Sequence, residues 1–366
     1  MSFAFHLPIN SVSFGQVSTG LLREAYQRGL SPALFLVGDA AEMSAQVQGE
    51  NFQTFHQWLN EGLQKANALH SRKHPTFKLW HIQHSMSSYS EKQLLLTFYE
   101  LDAPTPTEIN ILKNQAKVLV TSEYTSGILN SVGVNSSHVP LGFDKYNFFR
   151  TEKKYAPEGR ITFNLAGKWE KRKHHEKILK AWVSKYGNDK RYFLNCALYN
   201  NFLKPEQNNA LIAQALDGKQ YFNVNFLGYM EKNELYNDFL NASDIIIGMS
   251  GGEGWGLPEF HSVALGKHAV ILNANAYKEW ADKDNSVLVE PSGKIPAYDG
   301  MFFREGAPFN QGNIFDFKDD DFLDACDQAV SRVESNKVNE AGLMLAENFT
   351  ISRSLDVILG HLEGIK

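Results

Sequence analysis

Four glycines fall within the seven residues from Ser250 to Gly256, and one carboxylate, Glu253, stands among them. Apolar β-type runs flank this turn at 244–249 and 267–272, and residues 257–266 have helical spacing. Glycine lets backbone N–H groups come close to a ligand. A helix that starts at once adds unsatisfied N–H donors and the positive end of its dipole, so the stretch can hold an anion. An acid beside such a site suits adjacent hydroxyl groups better than the anion itself. A phosphate next to a polyol is the chemistry of a sugar nucleotide. The same residues also fit an ordinary glycine-rich βαβ connection, so the turn alone does not decide.

A second cluster lies earlier. Lys168, Lys171, Arg172 and Lys173 follow a β-type run at 160–167 and precede a helical one at 176–186. Basic groups at a helix start oppose its dipole and cost stability unless an anion offsets them. A solvated lysine-rich loop is the commoner form of a charge run. Two anion-type turns in one βα series favour the functional reading.

The elements that position these groups alternate along the whole chain. In the first half the patterns predict strands at 2–8, 31–38, 77–85, 94–102 and 117–122, and helices at 17–27, 51–69, 106–114 and 124–132, with Gly15 in the first turn. Such alternation means right-handed βαβ units and a mostly parallel sheet. Ligands bind beyond the carboxyl ends of such strands. Gly15, His84, Tyr99, Glu100 and Ser122 fall there. Residues 139–160 break the pattern with prolines, glycines and a charged run, and read as an interdomain linker. A second series follows, with strands at 160–167, 191–198, 224–228 and 244–250 and a clear helix at 234–240. Residues 300–316 have no period and read as a loop near the cleft, with helices from 319 to 362 after it. The domain division expected is 1–145, a linker at 146–159, 160–345, and a C-terminal helix at 346–366. Leu355, Ile358 and Leu362 have the spacing to let that helix cross back to the first domain.

At 366 residues the chain has room for two domains. A net charge of −5 and a pI near 6.2 disfavour a nucleic-acid partner. The two cysteines, Cys196 and Cys326, form no zinc pattern, so reduced thiols and a cytoplasmic setting are expected. The start, MSFAFHLPIN, lacks the charged and apolar regions of a signal peptide. No apolar run is long enough to span a membrane. The first strand is not followed by G-x-G-x-x-G, which argues against a nicotinamide dehydrogenase, and no D-x-D stands at a strand end to hold a metal.

The motifs resemble those of the retaining GT-B glycosyltransferases of the large GT4 class. Gly167-Lys168 with Lys171-Arg172-Lys173 matches its Gly-Arg/Lys followed by Lys-Gly. Phe226-Leu227-Gly228-Tyr229 with Glu234-Leu235 and Ala242-Ser243-Asp244 matches its F-x-G strand end and the helix after it. Glu253-Gly254-Trp255-Gly256-Leu257-Pro258 matches its E-G-F-G-L-P. The likeness covers about 160–290 well. Gly15-Gln16, the strand at 80–84, Ser122-Glu123 and the hinge Val139-Pro140-Leu141-Gly142 match more weakly. Two positions depart. The second glutamate of the family's E-x7-E, a ribose ligand, is His261, and Glu259 lies about 200° round a helix from it. Where many relatives have a histidine after the fourth strand, this chain has Tyr99 and Glu100.

The resemblance implies an α/β GT-B fold, two Rossmann-like parallel-sheet domains facing across a cleft. It implies transfer of a sugar from a UDP-, GDP- or ADP-sugar to an acceptor hydroxyl, with retention and without a metal or other cofactor. A saccharide or lipid-linked acceptor is expected, a nucleic-acid base less so. Lys168, Lys173, Glu253 and Glu100 take the catalytic places. Gly15, Arg172, Gly228, Tyr229, Gly254, Trp255, Gly256, Leu257 and His261 take the donor side, and His84 and Tyr99 the acceptor side. A catalytically silent module that binds a glycan or a protein partner is the alternative. An epimerase or phosphorylase on the same architecture ranks third.

Overall fold

Strands buried on both faces dictate parallel sheets sandwiched between helices, and the chain builds two of them. The computed structural model describes residues 2–153 and 158–365. In the first lobe β1 (Ala4–Leu7), β2 (Ala33–Leu36), β3 (Thr76–Leu79), β4 (Gln93–Leu96), β5 (Lys117–Val120) and β6 (Ser136–His138) pair in the order β2-β1-β3-β4-β5-β6. In the second lobe β7 (Ile161–Gly167), β8 (Tyr192–Leu198), β9 (Val224–Leu227), β10 (Ile245–Gly248), β11 (His268–Leu272) and β12 (Val287–Val289) pair as β12-β11-β10-β7-β8-β9. Every pairing within these two sheets is parallel. The strand order reverses between β7 and β10, so the loops leaving their carboxyl ends meet at a crevice. These loops carry the basic turn and the glycine turn.

Helices α1 (Ser13–Gln27), α2 (Phe52–Ala68), α3 (Pro106–Lys113) and α4 (Glu123–Ser131) flank the first sheet. Helices α5 (His175–Tyr186), α6 (Pro205–Ala215), α7 (Asn233–Asn241) and α8 (Leu257–Ala264) connect the strands of the second, and α9 (Asp319–Ser335), α10 (Glu340–Asn348) and α11 (Ile351–Gly364) follow. Leu355, Ile358 and Leu362 of α11 are buried in the first lobe's core with Phe5, Leu21 and Leu22. Arg28, at the C-terminal cap of α1, donates from Nη2 to the Ser352 carbonyl at 2.8 Å. The hinge passes beneath α11, where Phe143 N donates to the Phe349 carbonyl at 2.7 Å. Gly142 faces the Thr350–Ile351 backbone so closely that a β-carbon would collide with it. Of the expected linker at 146–159, residues 154–157 lie outside the described residues.

Several boundaries differ from the expectation. α1 begins at Ser13 rather than 17, which puts Gly15 inside its first turn. The segment at 77–85 stops being a strand at Leu79, and that at 94–102 stops at Leu96. The apolar pattern runs on because the connections themselves are buried, with Ile82, Tyr99 and Leu101 in the core. Residues 300–316 are not simply a cleft loop. A hairpin, β13 (Gly293–Pro296) with β14 (Asn313–Asp316), spans them and reaches across to the first lobe. Its Ala297, Phe303 and Ile314 are buried against Ile82, Tyr99, Leu101 and Ile111. Asp102 accepts from Lys294 Nζ and from Asn313 N, both at 2.7 Å.

The opposite lip is held by fewer bonds. Gln16 and Asn233 exchange amide hydrogen bonds at 2.8 and 3.0 Å, and Ser11 meets the Tyr229 hydroxyl at 2.9 Å. No helix among the described residues is long and apolar enough to cross a membrane.

Candidate active site

β7 ends at Gly167, whose φ of 135° only glycine adopts readily, and the chain turns into the basic segment. Glu170 is extended and starts a short 3₁₀ turn over Lys171–Lys173. His174 then takes a left-handed φ of 55°, and α5 begins. Glycine holds this place in the Lys-Gly of the resemblance; here His174 Nε2 meets the Phe315 carbonyl at 2.8 Å and helps hold the strained backbone.

This turn aims Arg172 into the crevice. Its Nε faces Glu170 at 2.8 Å, and its Nη1 donates to the Gly252 carbonyl at 2.7 Å and to Glu253 at 3.0 Å. Three groups of its own lobe thus surround the guanidinium, Glu170 through a charge contact rather than a hydrogen bond. The remaining nitrogen, Nη2, reaches across the cleft to Glu100 at 3.0 Å. Lys173 pairs with the same Glu253 carboxylate. Burial alone would discourage a charge on Arg172, but Glu100, Glu170 and Glu253 raise its pKa.

The glycine turn is locked onto the basic one. Gly251 N and Ser250 Oγ both donate to the Arg172 carbonyl, at 2.8 and 3.1 Å. The glycines let the turn lie against the first lobe. A β-carbon on Gly252 would stand 2.6 Å from the Glu100 carbonyl oxygen, and one on Gly254 would stand 2.8 Å from Phe98 Cβ. Gly256, with φ of 80°, caps α8 where a β-carbon would enter the Tyr277 ring. The N-terminus of α8 therefore opens at the crevice.

The carboxylates are not equivalent. Burial pushes Glu253 up, but Lys173 and then Arg172 outweigh it and hold its pKa below the ordinary value. Burial raises Glu100 to about 7 although Arg172 opposes this, with Glu253 and Glu170 adding repulsion. Burial likewise raises Glu259, beneath the turn, to about 7 despite Lys173. His175, at the start of α5, is held neutral by burial and by the charges of Lys173 and Arg172. The site thus joins fixed cations, a fixed carboxylate and two carboxyls that change charge near neutrality.

The expected residues divide. Arg172, Lys173, Glu253, Glu100, Gly254 and Gly256 converge, with Leu257 beginning α8. Lys168 does not join them. It pairs with Glu170 and lies 4.1 Å from the centroid of Phe302. Trp255 is buried among Phe260, Trp280 and Phe349 rather than facing the cleft. Tyr99, 4 % exposed, packs in the apolar cluster under the hairpin. His84 is exposed just past β3, and Gly15 lies under Asn10 in α1. Gly228 and the 42 %-exposed Tyr229 sit on the Ser11 lip.

His261 is 4 % exposed, its ring 4.4 Å from Phe148 and 5.6 Å from Phe143. Burial lowers its pKa to about 3, so it is neutral. Its Nε2 has no protein partner, and the ring borders a cavity of about 30 Å³ with Gln16, Asp144 and Leu257. Sequence reasoning missed Glu170. Its one signal was a lone acid inside the basic run. Glu259 was set aside by helix angle, yet it points under the turn, because Gly248 leaves room for its stem. Among the described residues no three histidine, cysteine or acidic side chains gather as metal ligands.

No family model matches the chain, and no curated protein matches it by sequence. Solved structures share its architecture. Sucrose-phosphate synthase from Thermosynechococcus elongatus aligns with a TM-score of 0.65 at 12 % identity, over 100 % of this chain and 98 % of its own. HepE of Anabaena in complex with UDP-glucose gives 0.67 at 10 %, over 100 % of both chains. A glycosyltransferase from Rickettsia africae gives 0.66 at 14 %, over 100 % of this chain and 98 % of its own. The fold is GT-B, two Rossmann-like α/β domains across a cleft, over the full length of the chain.

Proposed function

We propose that this chain is a glycosyltransferase of GT4 type that moves a sugar from a nucleotide-diphosphate sugar to an acceptor hydroxyl, with retention and without a metal. The observation that carries the reading is the meeting of Arg172 and Lys173 with the amide-rich turn 250–257, at the point where the strand order reverses. The UDP-glucose held by HepE, on the same fold, supports a sugar-nucleotide donor.

In this reaction the bond from the anomeric carbon to the β-phosphate oxygen breaks, and its electron pair leaves with the diphosphate. The acceptor oxygen forms the new bond to that carbon and gives up its proton. Fixed cations aimed at the leaving oxygens stabilise the charge that develops there. Arg172 and Lys173 do this, helped by N–H groups at the start of α8. Glu253, kept ionised, accepts hydrogen bonds from donor-sugar hydroxyls. Glu100 gives way from Arg172 Nη2 when the diphosphate arrives. Its raised pKa suits it to take a proton in that neighbourhood. A saccharide or lipid-linked acceptor is the expected partner.

A thermal-shift panel of UDP-, GDP- and ADP-glucose tests the reading. A true donor at 100 times its dissociation constant adds about 2.7 kcal/mol of stability, and the Lys173→Ala protein should lose most of that gain. No shift with any sugar nucleotide, and no sugar released or transferred, would leave the silent binding module as the better reading. One observation favours that second reading: Arg172 and Lys173 each already have a carboxylate partner.

A further inference from the structure

Lys168 was left without a place in the anion site, and the structure shows where it goes. Three connections of the second lobe converge on its ammonium group. The loop after β8 brings Phe202, whose ring centroid is 5.3 Å from Nζ. The hairpin connection brings Phe302, at 4.1 Å. The two rings meet edge to face, 5.3 Å apart. Glu170 holds Lys168 from below.

Neither ring hangs on a slack loop. Asn200 is buried and ties its loop to the basic turn through a bond to the Trp169 carbonyl at 3.0 Å, while its Oδ1 accepts from Phe202 N at 3.0 Å. Asp299 Oδ1 accepts from Met301, Phe302 and Phe303 N at 2.8, 2.9 and 3.0 Å. Lys171 Nζ fastens the hairpin to the same turn through the Pro296 and Tyr298 carbonyls, at 2.8 and 3.1 Å. Yet Phe202 is 71 % exposed and Met301 40 % exposed. Single exposed apolar residues need no explanation. Rigidly held aromatic rings around a cation, at the mouth of a cleft, do.

We propose that Phe202, Phe302 and Lys168 form a saccharide-binding subsite at the cleft mouth, which seats a neutral hexose ring of the acceptor against the open face of Phe202. A sugar ring presents an apolar C–H face and a rim of hydroxyls. The negative face of an aromatic ring attracts the first, and the ammonium group serves the second. Across the cleft, the His81 ring packs on Phe14 and Trp80, and desolvation, then the Lys168 charge, lowers its pKa to about 4. It is therefore neutral and can both donate and accept. The edge-to-face rings offer no parallel slot for a nucleobase, and the cation has no use for a lipid tail. The subsite adjoins the Arg172 anion site, since Glu170 pairs with both Lys168 and Arg172. It rests on the transfer reading only in making the bound sugar the acceptor.

Saturation-transfer NMR with the full chain and a panel of neutral glucose, galactose and mannose trisaccharides tests the proposal. At least one trisaccharide should receive saturation on one ring face. Phe202→Ala should weaken it tenfold or more, and Phe202→Trp should restore it. Phe202→Ala should leave the thermal shift by sugar nucleotides unchanged, since the ring is solvent-exposed and meets Lys168 and Phe302 rather than Arg172 or Lys173. No saccharide contact in the wild-type chain overturns the proposal, as does equal binding by Phe202→Ala. Association with phosphatidylcholine vesicles that Phe202→Ala abolishes, in place of saccharide binding, also overturns it. Saccharide binding that depends on Phe202, with no response to any sugar nucleotide, supports the subsite while sinking the transfer reading.

Discussion

Replacing Arg172 with methionine takes one cation from between three carboxylates and keeps most of the side-chain volume. Glu170, Glu253 and Glu100 lie 2.8, 3.0 and 3.0 Å from its nitrogens. Breaking a buried ion pair by removing one partner costs about 3–5 kcal/mol. Glu170 keeps Lys168 and Glu253 keeps Lys173, so the lower end, about 3 kcal/mol, is expected at pH 8. The loss should shrink in acid. Without Arg172, which now opposes the effect of burial on Glu100, the folded-state pKa of that carboxyl rises further. The folded variant then retains a proton that the unfolded chain releases, so its stability falls as pH rises through the neutral range. One unit of such shift is about 1.4 kcal/mol, so the penalty at pH 5 should be smaller by about that amount or more. Urea unfolding of both proteins at pH 5 and pH 8 measures this. A penalty that is the same at both values, or under about 1 kcal/mol at pH 8, would refute the charge network as described.

Other outcomes follow from the same geometry. Lys173→Ala should lower sugar transfer about a hundredfold, as loss of one charge-stabilising group does; near-normal turnover removes Lys173 from the chemistry. Burial raises the Glu259 carboxyl from 4.5 to about 7, so the wild-type chain loses stability as pH rises across that window, and Glu259→Gln should flatten this part of the stability profile. Gly252→Ala puts a β-carbon 2.6 Å from the Glu100 carbonyl oxygen, a backbone atom that cannot step aside. It should cost about 1–3 kcal/mol and part the lobes, seen as a larger radius of gyration in solution scattering. His261→Phe should change stability by less than about 1.5 kcal/mol, since the ring already packs on Phe143 and Phe148. His261→Glu should cost several times that, because the charge would enter the aromatic cage; a Glu variant as stable as wild type contradicts the cage.

Apolar periodicity and turn chemistry made two things readable without coordinates. Alternating strands and helices specified two parallel-sheet lobes, because strands buried on both faces have few other ways to pack. Glycine spacing around Glu253 and the basic run at 168–173 marked the turns at the strand ends, since each turn is local and its residues are adjacent in the chain.

What only the tertiary structure decided was which side chains of those turns share a point in space. Lys168 and Arg172 are near neighbours in sequence, yet one goes to an aromatic pair and the other to three carboxylates. The difference is set by Glu170, by a 3₁₀ turn, and by loops some thirty and some hundred and thirty residues downstream. Tyr99 looked like a cleft residue because it follows a strand. The hairpin buries it, and a hairpin that docks on another lobe leaves no periodic trace. The raised carboxyls of Glu100 and Glu259 could not be read either. Charge balance and desolvation depend on distances through space, and a linear sequence carries those only within a turn or two of its own helices and strands.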